Sequence, residues 1–206
     1  MSSSERIIEA AITIFGQYGY RGSSMELVAQ EAGLTRQALY HHYDSKEAMF
    51  RACIGAVNEG AYAVEKAAGL AQIIAGKGLA DIITAQIVAR FMYLIDCLKS
   101  PLHAAEILSE RQRQTRDLYQ NFNDQKLELL VDTITAFCKA SGSVLRDDMT
   151  PMELARSLEF AMHGFELQKT DKNLLADLVR VIRLMIAGAM ISDTSPNLIS
   201  ARGTEL

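Results

Sequence analysis

The chain is predicted to be all-α, on three observations. Residues that favour helix, chiefly Ala, Leu, Glu, Gln, Met and Ile, dominate, and only three prolines occur in 206 residues. Apolar residues recur at helical spacing in one segment after another, as in Ile7, Ile8, Ala11, Ile12 and Phe15. Alternation of apolar and polar residues between turn signals, the mark of strands, is absent.

The first helix is expected over roughly residues 4 to 18, with Gly19 as its stop. Ser23 and Ser24 precede the next, and Ser23-x-x-Glu26 reads as a capping box. Leu27, Val28 and Ala32 give it an apolar face, and Ala29 is small where a second helix must cross. Gly33 ends it. Thr35 caps a third helix from about 36 to 42, with Leu39 as its core anchor. Helix, short turn containing Gly, helix is the supersecondary signature of DNA binding, and the second helix enters the major groove by its N-terminus.

Asp44 or Ser45 can cap a fourth helix that opens Lys46-Glu47-Ala48-Met49-Phe50 and runs to the high fifties or mid-sixties. Gly60, Gly69, Gly76 and Gly78 suggest breaks after it. Further helices are expected at about 79–99 (stopped before Pro101), 102–117 and 120–140 (ended by Ser141-Gly142-Ser143). Thr150-Pro151 starts another, to about Gln168, and the last covers about 172–190, with a frayed tail from Ser192.

Arg36 and Gln37 lead the third helix. Arginine pairs with guanine O6/N7 and glutamine with adenine N6/N7, so these two are the expected sequence readers, with Thr35 and His41 as secondary contacts. The adjacent His41 and His42 point about 100° apart on a helix and make a poor metal pair. Charge runs against the nucleic-acid reading. Residues 1–50 hold four basic residues (Arg6, Arg21, Arg36, Lys46) and six acidic ones (Glu5, Glu9, Glu26, Glu31, Asp44, Glu47), a net of −2. DNA-binding domains are usually basic. Residues 32–43, however, contain Arg36 and two histidines and no acid.

Residues 5 to 50 resemble the N-terminal domain of the tetracycline-repressor (TetR) family of bacterial transcriptional regulators. The segment Ala32-Gly33-Leu34-Thr35-Arg36-Gln37-Ala38-Leu39-Tyr40-His41-His42-Tyr43-Asp44-Ser45-Lys46-Glu47 carries the likeness, with Gln37 and Ala38 where that family often has Gly and Thr. The resemblance implies phosphate contacts from Ser24, Tyr40, His42 and Lys46. It also implies a division into a DNA-binding domain, 1–47, and a helical effector-binding and dimerisation domain, 48–206.

In such a fold the last two helices form a four-helix bundle with a second copy. Their wide apolar faces make Leu158, Met162, Phe165, Leu178, Ile182, Met185 and Ile186 the candidates for that homodimer interface, the alternative being an ordinary intramolecular core. The middle helices would enclose a small hydrophobic or amphipathic effector. The candidate contacts are Phe91, Tyr93, Ile95, His103, Arg111, Tyr119, Phe122, Phe137, Met162 and His163. The implied function is a ligand-responsive repressor that leaves a palindromic double-stranded operator when the effector binds. The alternative is a helical carrier or adaptor with a vestigial DNA-binding head.

Other classes find little support. The chain has no His-Glu-x-x-His, no Gly-x-Ser-x-Gly and no phosphate-cradling glycine loop, so neither an enzyme nor a cofactor or metal site is expected. Cys53, Cys97 and Cys138 are odd in number and widely spaced, which fits a reducing cytoplasm better than a disulfide framework. The most apolar stretches, 82–95 and 178–191, are interrupted by Gln86 and Arg90, and by Arg180 and Arg183, and fall short of a membrane span.

Overall fold

A computed structural model describes residues 2–98, 101–146, 149–166 and 174–191. It is helical, and its contacts divide it into two units, residues 1–129 and 130–206.

The first unit opens with α1, Ser3–Gly22, capped by Ser2 and Glu5 in a reciprocal pair of hydrogen bonds. Gly19 breaks the helical path as expected, and a last turn continues to Gly22. The kink redirects Ser23. Its hydroxyl donates to the carbonyls of Ile14 (3.2 Å) and Gly19 (2.5 Å) of α1. The cap of α2, Met25–Glu31, is therefore Ser24 and not Ser23: Ser24 Oγ accepts from Leu27 N–H at 3.2 Å.

α2 ends at Gly33, whose φ of 65° lies in the left-handed region. The Gly33 and Leu34 N–H groups return to the carbonyls of Gln30 (3.1 Å) and Ala29 (2.8 Å), a Schellman closure. α3, Arg36–Tyr40, is shorter than expected and ends before His41. Thr35 Oγ1 caps it by accepting from Ala38 N–H at 3.2 Å, and Thr35→Ala is expected to cost about 1 kcal/mol in a thermal melt. Ser45, rather than Asp44, caps α4 through Ala48 N–H at 3.0 Å.

These helices share one core. Ile7, Ala11, Phe15, Val28, Leu39, Met49 and Phe50 are all buried in it. The Phe50 ring meets Phe15 and Tyr20 edge-on, with centroids 5.0 and 4.9 Å apart. The start of α4 therefore belongs to the same packed body as the short helices.

α4 runs Lys46–Ile74, well past the expected end. Gly60 and Gly69 do not break it. They let α5, Leu79–Cys97, approach: a Cβ at Gly60 would meet the Tyr93 hydroxyl, and one at Gly69 would lie 2.5 Å from Gln86 Nε2. The break comes at Gly76–Gly78. Along this antiparallel pair lies a buried polar seam. Glu65, 1% exposed, accepts from Arg90 Nη1 at 3.3 Å. Arg90 Nη2 donates to Asn58 Oδ1 at 3.2 Å, and Asn58 Nδ2 donates to the Ile54 carbonyl at 2.8 Å.

A 3-10 turn, Pro101–His103, leads into α6, Ala104–Gln114, and α7, Arg116–Ser141, follows after Thr115 alone. α6 touches α1: Glu106 Oε1 accepts from the Arg21 N–H at 2.7 Å. Arg51 of α4 grips Asp117 at the start of α7 with two hydrogen bonds, 2.9 and 2.5 Å, and also donates to the Gln114 carbonyl. Those hydrogen bonds hold the Asp117 carboxyl down to about 2.

The second unit contains the C-terminal part of α7, α8, Pro151–Glu166, and α9, Leu174–Ala189. Thr150 and Glu153 form a capping box at α8: Thr150 N–H donates to Glu153 Oε2 (2.7 Å) and Glu153 N–H to Thr150 Oγ1 (3.2 Å). The expected extension of α8 to Gln168 and the tail from Ser192 lie outside the described residues. Leu130, Ile134, Leu154, Leu158, Leu178, Ile182 and Ile186 are buried here.

Candidate DNA-binding surface

α3 is only five residues long and buries a single side chain, Leu39. That anchor leaves the opposite side free. Thr35, Arg36, Gln37, Tyr40, His41 and His42 are all exposed, so each of the expected readers and their neighbours is accessible. Ser24 is half-buried, with its hydroxyl engaged as the α2 cap.

Arg36 is already held. Its Nη1 pairs with Glu26 Oε1 at 2.5 Å, its Nη2 donates to the Tyr40 hydroxyl at 3.4 Å, and its guanidinium lies 5.3 Å from the Tyr40 ring centroid. The Tyr40 hydrogen bond and the Glu26 charge keep the guanidinium protonated more firmly still. A hydrogen bond from its own backbone N–H chiefly holds the Glu26 carboxyl below the ordinary range; desolvation opposes this, and the Arg36 charge and the Ser24 hydroxyl add to the lowering.

Lys46 sits elsewhere than on an open surface. Its Nζ donates to the carbonyls of Tyr20 (2.7 Å) and Ser23 (2.9 Å) and lies 4.5 Å from the Tyr20 ring centroid. In this arrangement the ammonium satisfies carbonyls at the end of α1. Sequence reading missed both Glu26 and this use of Lys46. The available signal was an acid in the first turn of α2, one turn motif away from the reading arginine.

The effector candidates are divided. Phe91, Tyr93, Ile95, His103, Arg111, Tyr119 and Phe122 lie in the first unit, and Phe137, Met162 and His163 in the second. Several have other work. Phe122 packs against the core of the helix-turn-helix body. His103 lies 3.7 Å from Glu106, beside Gly19. The Tyr93 hydroxyl is tucked against Gly60. Phe91, Ile95, Arg111 and Phe137 are half-buried, Met162 is buried, and the side chains of Tyr119 and His163 lie outside the described set.

The interface candidates fall mostly within the core of the chain's own second unit. Leu158, Leu178, Ile182 and Ile186 are each at most 3% exposed within a single chain, because one apolar stripe of each helix is consumed by the unit's own core. Met162 is buried and Met185 half-buried, and the Phe165 side chain is not among those described. Among the described residues of α8 and α9, the large apolar side chains exposed to solvent are Phe160, 83%, and Met152, 39%, on α8 and Leu184, 65%, on α9. Among the described residues no helix is long and apolar enough to cross a membrane.

A short helix pinned by one leucine, presenting Arg and Gln from its first turn behind a glycine turn, is the geometry of a helix-turn-helix motif. Residues 7–53 match the family model described as bacterial regulatory proteins, tetR family. The chain is 24% identical over 183 residues, 88% of each chain, to the HTH-type transcriptional repressor AcnR of Corynebacterium diphtheriae. It is 36% identical over 47 residues to the negative transcriptional regulator IcaR of the biofilm operon in Staphylococcus epidermidis, covering 23% of this chain and 25% of that one.

Solved structures share the fold. SmeT, repressor of the Stenotrophomonas maltophilia multidrug efflux pump SmeDEF, superposes with a TM-score of 0.65 at 19% identity, over 94% of this chain and 92% of that one. A TetR-like transcriptional regulator from Rhodococcus sp. RHA1 gives 0.60 at 18% identity, over 90% and 96%. Residues 7–53 thus carry the DNA-binding domain of the tetR family of bacterial regulatory proteins, and the chain as a whole shares its fold with solved TetR-like regulators.

Proposed function

We propose that the chain is a homodimeric, ligand-responsive repressor that reads a palindromic operator with Arg36 and Gln37. The observation that carries this reading is the α3 edge: both side chains are exposed from the first turn of a helix whose only buried residue is Leu39. AcnR, IcaR and SmeT are each described as repressors or negative regulators, which favours repression over activation. Residues 1–47 form the reading head and 48–206 the effector-binding and dimerisation part, in the cytoplasm.

Phosphate gripping falls to Tyr40 and His42, which are exposed, with Ser24 and Lys46 at the rim. Phe160 and Leu184 support self-association through α8 and α9, with Ala187 and Gly188, small and exposed beside Leu184, allowing close approach. A dimer places two α3 helices about 34 Å apart, in successive major grooves. The effector is a small hydrophobic or amphipathic molecule, received among the middle helices near the half-buried Phe91 and Ile95. It acts by binding one setting of α4 more tightly than another, since only differential affinity can shift such an equilibrium.

The test is selection of duplexes from a randomised pool, followed by binding titrations. Arg36→Ala is expected to weaken binding to the selected duplex by about 1–3 kcal/mol and to relax preference at one base position. Unchanged affinity and preference in that variant would remove Arg36 from the reading surface. Sedimentation at falling concentration checks the dimer, and a Phe160→Glu chain that still sediments as a dimer would place the interface elsewhere.

A further inference from the structure

We infer that Glu26 is a specificity-determining residue, which holds Arg36 away from phosphate and so reserves it for a base edge. The inference rests on the DNA-reading function proposed above and names how that site discriminates. It starts from geometry: the carboxylate of α2 pairs with the guanidinium of α3 at 2.5 Å, across the turn, on the exposed reading edge, with the two side chains 53% and 61% exposed.

An arginine at the head of a recognition helix has two classes of acceptor on DNA. Phosphate oxygens are charged and occur at every step, whereas guanine O6 and N7 are neutral and occur only where the sequence provides them. A fixed carboxylate beside the guanidinium treats the two differently. It repels an approaching phosphate, and it competes with that phosphate for the same charge-assisted hydrogen bonds. Against a neutral base edge the repulsion is much weaker, and a guanidinium with five donors can keep Glu26 on Nη1 while others turn to the base.

Glu26 is suited to this because it stands in the first turn of α2, where an acid is favoured, with its carboxylate 2.5 Å from the Arg36 guanidinium. Tyr40 flanks the guanidinium on another side. The arrangement also gives the acidic composition of the head a purpose. A net of −2 over residues 1–50 weakens general attraction to DNA, and one of those acids sits on the main reader.

The test uses the full-length chain, a duplex that it enriches from a randomised pool, and the same duplex with its bases scrambled. For Glu26→Gln, binding to the scrambled duplex is expected to tighten about three- to fivefold per head, as expected for one exposed ion pair. Its logarithmic salt slope should steepen by about one per head, as a neutralised cation becomes free for phosphate. Binding to the enriched duplex should change less, so the ratio of the two affinities falls. In the Arg36→Ala background, Glu26→Gln should leave that ratio unchanged, because the two residues act as one unit.

Equal changes on both duplexes would overturn the inference while leaving the regulator reading intact. So would loss of binding to both with a lowered melting temperature, which is the behaviour of a mere staple between α2 and α3. Failure of the unaltered chain to enrich any duplex would overturn both readings together.

Discussion

Replacing Arg90 with alanine is expected to destabilise the chain by about 3 kcal/mol at neutral pH, because it removes the hydrogen-bonded one of the two cations that face a buried carboxylate, Lys126 being the other. Glu65 is 1% exposed and accepts from Arg90, and burial pushes its carboxyl above the ordinary range against the charges of Arg90 and Lys126, which pull it down. A carboxyl whose pKa is higher folded than unfolded binds more protons in the folded state. Its contribution to stability is complete below the ordinary carboxylate pKa and is lost as pH rises through the raised folded value. Removing Arg90 lifts that value further, so the damage should be largest at neutral pH and shrink on mild acidification. Urea unfolding of the variant at neutral and mildly acidic pH checks this. An equal loss at both would show that Arg90 contributes packing and not charge.

Leu39→Ala is expected to cost about 2–5 kcal/mol, the range for a buried leucine whose cavity cannot close. Leu39 is 0% exposed and is the only buried residue of a five-residue helix, which is too short to hold itself together. Its loss should also abolish DNA reading at temperatures where the rest of the chain remains helical by circular dichroism. A melting curve read beside a DNA titration separates the two effects. A cost below about 1 kcal/mol, with binding retained, would mean that the caps alone position α3.

The helix-turn-helix body was legible because its punctuation is local. Gly33 needs a positive φ, Thr35 and Leu39 each have one structural task, and the spacing between them fixes the motif. Where two residues could serve, the sequence did not choose. Ser23 and Ser24 are equally good caps, and the choice depended on the acceptors that the Ser23 hydroxyl finds, the carbonyls of Ile14 and Gly19 nine and four residues earlier. Gly60 and Gly69 look like helix breakers, yet they are the places where Tyr93 and Gln86 come close, a fact carried by a partner helix. α8 and α9 have more than one apolar face, and composition cannot say which one the chain uses itself. Hence Leu158 and Ile182 turned out to be covered while Phe160 and Leu184 point outward. The Glu26–Arg36 pair was hidden for a similar reason: it joins two helices, and helix periodicity describes only one at a time.

The ammonium of Lys46 on the Tyr20 and Ser23 carbonyls, with Phe50 wedged against Phe15 and Tyr20, welds the base of α4 to the reading helices. α4 then works like the handle of a wrench. A helix of 29 residues is about 43 Å long, so a tilt of about 5° sweeps one end through roughly 4 Å relative to the other. That stroke exceeds the rise of one base pair, about 3.4 Å. In the proposed dimer, a small nudge at the distant tip would be enough to put two such jaws out of step with the thread of the double helix.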